Sequence, residues 1–394
     1  MQSILVVGAG REGKGFLGET FSTDGWQVYF LDKDPEVVNA LKTGKYNVTV
    51  YQENGTFKRE ITGYEVYGYD EEYSCLPAIL EAEVIALCLY PEDIPEAAAY
   101  LGKGISERAR RNGDKLTILC CTNKNHSIPA FKKAFENALE GSQERAWFSE
   151  NAIVTDVIVR RSTNAETTTA LDVVTTATMS LLIQPPVYAD FSKTRWMELR
   201  DDLEQLKEIK LYTYNAPHAA CAYAGYLKGY KTILEASADP EIAALQDEVL
   251  KEAIPGLSKE FGIPEEEIWA FCSFPGTKEK MDDSIYRVAV DPIRKLSRND
   301  RLTGNAMFCF KYGIDPKALI KSIANGMASS LSYALYIVVV NRASLNMSSV
   351  KLTSLPAVLC EYELLGMLYP YALNTDWVNP EQSAPLVRLV PPGT

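Results

Sequence analysis

Two hydrophobic patterns divide this 394-residue chain. Up to about residue 190, short apolar runs alternate with amphipathic helical stretches. Beyond about residue 195, apolar residues recur at three- and four-residue spacing. The runs at 3–7 (SILVV), 27–32 (QVYFLD), 83–90 (EVIALCLY) and 116–121 (LTILCC) are apolar on both faces, as in strands buried in a parallel sheet. Helices fill the intervals. One opens near residue 10 and runs to about Thr23, and another starts at Asp34-Pro35, an N-cap followed by proline at the first helical position. PEDIPEAAAYLGKGI and IPAFKKAFENAL supply two more. Residues 45–70 alternate and carry an Asn54-Gly55 turn, which predicts an inserted β-hairpin and a further strand, with the tyrosines used for packing. Residues 167–186 are rich in β-branched side chains and predict strands added at the sheet edge. Pro185-Pro186 and the mixed segment to about Lys193 mark a domain border. The expected fold is α/β, a doubly wound sheet with a β insertion over 1–192, followed by a mostly α-helical domain over 193–394. Helices are expected there at DDLEQLKEI, 215–236, PEIAALQDEVLKEAIPGLSKEF and DPKALIKSIANGM, with packing helices and a tail in the final 65 residues.

The first strand runs into Gly8-Ala9-Gly10-Arg11-Glu12-Gly13, and each glycine has its own task. Gly8 permits a tight turn, Gly10 lets the backbone approach a pyrophosphate, and Gly13 lets helix and strand pack closely. The helix that follows offers N–H groups and a partial positive charge to that phosphate. Asp32 closes the second strand 19 residues after Gly13. A carboxylate there hydrogen-bonds the ribose diol and repels a 2′-phosphate, which selects NAD over NADP. Arg11 sits in the same turn and, with Lys33, lies close enough in sequence to temper that choice. The first domain is therefore expected to be Rossmann-type, with NAD held by Gly8, Gly10, Arg11, Gly13 and Asp32. The turns Tyr90-Pro91 and Thr122-Asn123-Lys124-Asn125-His126 follow later strands, at the carboxyl edge where ligands bind. Asn123 either faces the ligand there, and joins the cofactor-binding residues, or caps a turn.

Chemistry concentrates in the second half at Lys210-Leu-Tyr-Thr-Tyr-Asn215-Ala-Pro-His218, which holds one of only two histidines. Pro217 lacks an N–H and clashes with the carbonyl four residues back, so a helix running unbroken from Lys210 is not expected. Asn215 is expected to cap a new helix, with His218 on the same side. An ammonium, an amide and an imidazole that converge in this way suit a hydroxyl or carbonyl oxygen. Lys-x4-Asn-x2-His, followed by AYAGYLKGYKTI and ADPEI, resembles the polyol-specific long-chain dehydrogenase/reductase family. The likeness recurs at VVGAGREGKGF and DPIRKLSRNDRL, so it spans roughly the first 315 residues. The resemblance implies that Lys210 transfers the proton and that Asn215 and His218 hold the reacting oxygen across a cleft from the nucleotide. It also implies a place near that oxygen for Asn151, in FSENAIVTDVIVRR, although the spacing to Asp156 is one residue longer than the common pattern. His126 ranks behind His218 because it lies outside the motif.

Charge changes the picture at one point. Arg294-Lys295-Leu-Ser-Arg298-Asn-Asp300-Arg301 reverses the acidic balance of a chain with net charge −12. Arg294 and Arg301, expected about two turns apart on one helix face, are candidates to bind a substrate phosphate. The overall negative charge argues against nucleic acid or an anionic membrane as partner. Eight cysteines without a Cys-x2-Cys spacing, and two histidines, argue against a disulfide framework and a zinc site; no metal is expected in the reaction. The N-terminus enters a strand directly and no apolar run approaches the ~20 residues of a membrane span, so the expected location is cytoplasmic. The expectation is an NAD-dependent, metal-independent oxidoreductase that interconverts a sugar alcohol phosphate and a ketose phosphate, with Lys210 as general acid/base. The alternatives are a free-polyol 2-dehydrogenase or hexuronate reductase of the same family, or a non-catalytic NAD-binding regulator.

Overall fold

The computed structural model describes residues 1–52, 55–122, 124–161, 163–165, 171–176, 180–272 and 283–329. The chain divides into two compact units, one built on Met1–Glu208 and one that begins at Ile209. The strands of the first are β1 (Ser3–Val7), β2 (Gln27–Asp32), β3 (Lys45–Gln52), β4 (Gly55–Thr62), β5 (Glu65–Gly68) and β6 (Val84–Leu87). They continue with β7 (Leu116–Cys120), β8 (Ala152–Arg160), β9 (Thr163–Ala165), β10 (Val173–Thr176), β11 (Ser180–Ile183) and β12 (Met197–Leu199). The main sheet has eight strands in the order β12-β11-β8-β7-β6-β1-β2-β5. From β5 to β8 all neighbours are parallel, in the order of a dinucleotide-binding domain, while β11 is antiparallel to β8. Both faces are buried, as the apolar runs require. Leu5, Val7, Leu31, Ile85 and Ile118 pack on one side, and Ile4, Val6, Phe30, Ala86 and Leu119 on the other.

Helix α1 (Glu19–Thr23) follows a π-helical turn at Gly13–Gly18. Next come α2 (Pro35–Leu41), capped by Asp34 as expected, α3 (Leu76–Glu81), α4 (Ile94–Arg110), α5 (Ile128–Ala138) and α6 (Ser142–Asn151). The inserted hairpin is present, but its register pairs Gln52 with Gly55, so β4 already begins at the glycine read as part of the turn. Asn54 lies outside the described residues. The hairpin belongs to a second sheet, β4-β3-β10-β9. Of the strands expected at the main sheet edge, β11 is there, whereas β10 runs parallel to β3. Asp172 explains the difference: its carboxylate accepts the Asn47 N–H at 2.8 Å and the Asn47 amide at 3.1 Å, pinning the start of β10 to β3. A buried Glu19 joins the insertion to the first helix, with Arg59 and Arg161 each 2.8 Å from its carboxylate. The main sheet continues past the border expected near Lys193, because β12 pairs with β11.

The division between units falls inside α7 (Leu203–Thr213). The described residues of the second unit are helical: α8 (Asn215–Lys228), α9 (Ile233–Ser237), α10 (Pro240–Phe261) and α11 (Glu265–Cys272) come first. Then follow α12 (Ile285–Ala289), α13 (Pro292–Lys295), α14 (Thr303–Lys311) and a helix over 317–329. The single helix expected over 215–236 is two. Gly229, at φ +82°, ends α8, and a Thr232–Glu235 capping box starts α9. Ala219, Ala220, Tyr223, Val249, Leu319 and Ile323 form its core. The final 65 residues lie outside the described residues, among which no helix is long and apolar enough to cross a membrane.

Candidate active site

The glycine turn has the geometry its sequence calls for. Gly8 sits at φ +91°, and a Cβ there would lie 2.4 Å from the Cys88 carbonyl oxygen. A Cβ on Gly13 would lie 2.2 Å from the Gly8 carbonyl oxygen, so helix and strand touch through it. Gly10 is exposed, with nothing within 4 Å of where a Cβ would sit, which leaves its backbone open to a diphosphate. In the π-helical turn the Lys14 carbonyl accepts both the Glu19 N–H and the Tyr46 hydroxyl, the latter at 2.9 Å. Gly18 leaves the room this takes, since a Cβ there would lie 2.4 Å from that hydroxyl.

Asp32 is fixed at the end of β2. Its carboxylate accepts the Ala9 N–H at 2.7 Å and the Asp34 N–H at 2.9 Å, and each oxygen keeps a lone pair for a diol. Lys33 does not oppose it, being exposed and paired with Asp93 at 3.1 Å and Glu96 at 2.8 Å. The cation that does feel Asp32 is Lys14, which the sequence did not single out. It is buried, and burial holds its pKa below the ordinary lysine value against the pull of Asp32 and Asp172. Arg11 is exposed at the start of the helix. Asn123 lies outside the described residues. The open Gly10, the left-handed Gly8 and the anchored carboxylate together fit a dinucleotide.

Other first-unit candidates have plainer surroundings. Asn151 ends α6 and donates to the Trp147 carbonyl at 3.1 Å. His126 has φ +54° and is exposed, with its ring nitrogens against Glu204 and Glu208. Lys207, in α7, is buried against Asp156 and also donates to the Thr122 carbonyl at 2.7 Å.

In the second unit the break before Pro217 is present. Lys210 occupies the last turn of α7, and α8 begins at Asn215. The cap itself differs from expectation. Tyr214 is the N-cap, with helical φ and ψ, and Asn215 is the first helical residue. Pro217 then falls within the first turn, where a missing N–H removes no helical bond. Asn215 and His218 therefore share one face of α8 as i and i+3. The end of α7 is clamped by the fully buried Asn305, whose amide donates to the Tyr212 carbonyl at 2.7 Å and to the Arg301 carbonyl at 2.8 Å. A Cβ on Gly304 would lie 2.7 Å from the Tyr212 ring. The Lys210–His218 segment and the basic segment are thus tied together.

That basic segment is not one helix. α13 stops at Lys295 and the chain turns through Asp300, so Arg294 and Arg301 do not share a helix face. Arg294 is exposed and paired with Asp291 at 2.6 Å. Arg301 is nearly buried and paired with Asp300 at 2.7 Å. Lys295 is buried, donates to the Val288 carbonyl at 2.6 Å, and has its pKa pushed down to about 8 by burial and then by Arg301 and Arg294. His218 lies in the same field. Burial, then Arg287, Arg301 and Lys295, push its pKa down to about 4. Its imidazole is therefore neutral at physiological pH, able to offer one N–H and no charge. Arg287, paired with Asp283 at 2.5 Å, is the member no sequence motif contained.

Residues 2–184 match the family described as mannitol dehydrogenase Rossmann domain, and residues 202–332 match the mannitol dehydrogenase C-terminal domain. A mannitol-1-phosphate 5-dehydrogenase of Geobacillus stearothermophilus is 30% identical over 329 residues, covering 80% of this chain and 85% of the relative. The chain belongs to the mannitol dehydrogenase family. It is thus a dehydrogenase with a Rossmann domain for its nicotinamide dinucleotide and the helical domain of that family. The mannitol-1-phosphate 5-dehydrogenase of Caldanaerobacter subterraneus subsp. tengcongensis is 28% identical, covering 83% of this chain and 86% of its own. Among solved structures, a Pseudomonas fluorescens mannitol 2-dehydrogenase shares the fold with TM-score 0.65 at 16% identity, covering 83% of this chain and 79% of that one. A D-sorbitol dehydrogenase does so with TM-score 0.67 at 17% identity, covering 83% and 82%.

Proposed function

We propose that this member of the mannitol dehydrogenase family uses NAD to interconvert a sugar alcohol phosphate and a ketose phosphate, of the mannitol 1-phosphate and fructose 6-phosphate type. The observation that carries the phosphate is His218 lying in the field of Arg287, Lys295 and Arg301, in a protein whose net charge is −12. Such a local reversal suits a dianion bound close to the reacting oxygen. Arginine suits the task because its planar fork engages two phosphate oxygens at once. NAD, which Gly8, Gly10, Gly13 and Asp32 would hold, would supply the hydride acceptor for the carbinol carbon and, reduced, the hydride donor for the carbonyl.

Lys210 takes the hydroxyl proton in oxidation as the neutral amine and returns it in reduction as the ammonium. Asn215 offers its amide N–H and His218 its imidazole N–H to the substrate oxygen, where they favour the charge that builds in the transition state. A neutral His218 fits this role, since a low pKa keeps it a donor without making it a competing acid. On this reading no metal enters the proton transfer. The test is Lys210→Ala. Turnover should fall by at least ~10²-fold, the low end of general acid–base contributions, while NADH binding stays near wild type. A variant that keeps a tenth of wild-type kcat defeats the assignment.

A further inference from the structure

Beneath the Gly8–Gly13 turn, three ligand-type side chains meet that the reaction above does not use. Cys88 and Cys121 directly follow Leu87 and Cys120, which pair across β6 and β7, so they hold equivalent places on adjacent parallel strands about 4.8 Å apart. Their backbones are held there: the Cys88 N–H donates to the Val7 carbonyl at 2.8 Å and the Cys121 N–H to the Leu87 carbonyl at 3.0 Å. Strand alternation separates the two neighbouring cysteines, placing Cys120 in the core beside Leu116 and Ile118 and Cys121 in the opposite one beside Leu119. The thiols of Cys88 and Cys121 lie against each other, their sulfurs within 4.8 Å. The Glu12 carboxylate joins them from the glycine turn, and the three ligand atoms all lie within 4.8 Å of one another. Among the described residues no other group of histidine, cysteine and acidic side chains comes together so closely.

We propose that Glu12, Cys88 and Cys121 bind one thiophilic divalent cation of the zinc class, with a fourth position left to water. Tetrahedral zinc, with sulfur at about 2.3 Å and oxygen at about 2.1 Å, sets its donors about 3.5–3.8 Å apart, so a contraction of at most about 1 Å completes the site. Two sulfur donors select zinc-like ions over magnesium or calcium. Each thiol passes its proton to solvent as the cation binds. Glu12 stands between Gly10 and Gly13, and Gly8 backs onto the Cys88 carbonyl. Binding pulls Glu12 toward the two thiols and draws with it the turn that the dinucleotide needs, so zinc and NADH oppose each other. That last consequence rests on the dinucleotide reading of the turn; cation binding itself does not.

The test uses the full-length protein, reduced, stripped of metal by a chelator and titrated with Co²⁺ and then Zn²⁺. One equivalent of Co²⁺ should give thiolate-to-cobalt charge-transfer absorption with tetrahedral ligand-field bands, which Zn²⁺ bleaches. Cys88→Ser and Cys121→Ser should each diminish that absorption. Glu12→Gln, at a partly exposed position that spares the core, should weaken binding by roughly tenfold or more, the scale on which even an outer-sphere partner matters. NADH should raise the apparent Kd for zinc. Its own binding is followed separately by fluorescence, so a failed dinucleotide reading is seen as missing NADH binding. Absence of the thiolate absorption, or its survival in the Cys88→Ser/Cys121→Ser double variant, overturns the site. Indifference to both Glu12→Gln and bound NADH overturns its placement at the turn.

Discussion

Acidification should act on this protein through His218 in a way that one experiment can isolate. Its pKa is pushed from the ordinary ~6.5 down to about 4 by burial first and by Arg287, Arg301 and Lys295 next. Between those values the unfolded chain takes up a proton that the folded chain refuses, so stability rises with pH across the window and is lost as pH falls through it. At ~1.36 kcal/mol per pH unit, the full loss is about 3 kcal/mol by pH 4. Because the chain has two histidines, imidazole resonances are assignable with a single His126→Gln variant. NMR titration should show one imidazole that stays neutral until about pH 4. Urea unfolding should then show wild type losing about 3 kcal/mol relative to His218→Gln between pH 7 and pH 4. Arg301→Gln should move the His218 pKa upward but leave it below the ordinary value, because burial is the larger cause. A His218 resonance that titrates near the ordinary value, or a variant with the same pH dependence as wild type, would refute the reasoning.

Two further outcomes follow from the two units. Asp32→Ser should raise KM for NAD and narrow the gap between NAD and NADP in steady-state kinetics; a wild type that already prefers NADP would show that a cation near Asp32, of which Lys14 is the buried one, outweighs the carboxylate. Arg301→Ala should raise KM for the phosphorylated substrate by ~10–100-fold, the worth of one charge-assisted hydrogen bond. Unchanged KM values would leave Arg301 as a structural partner of Asp300 alone.

The parallel sheet was legible because its strands are buried on both faces, which leaves continuous apolar runs such as SILVV and LTILC. Gly8 and Gly13 were legible because backbone contacts leave no room for a side chain at either position. Contacts between segments distant in sequence were not. Arg287 joins His218 only through the folding of α8 and α12, and Glu12 joins Cys88 and Cys121 only through the pairing of β1 with β6 and of β6 with β7. Local pattern also misled where tertiary bonds decide the path: Asp172 draws β10 to the hairpin, and the turn after Lys295 separates Arg294 from Arg301. Tyr214 displaced Asn215 as cap because α7 and α8 follow so closely that the Tyr214 N–H still bonds to the Lys210 carbonyl at 3.0 Å.

The central claim is that a neutral His218 and its surrounding cations serve a phosphorylated substrate. Its most direct test is the rate of NADH oxidation by the wild type with fructose 6-phosphate and with fructose, compared under matched conditions. The account predicts that kcat/KM for the phosphate exceeds that for the free sugar by ~10²-fold or more, the combined worth of at least two charge-assisted contacts. Equal turnover of the two sugars, or activity on the free sugar alone, would contradict it.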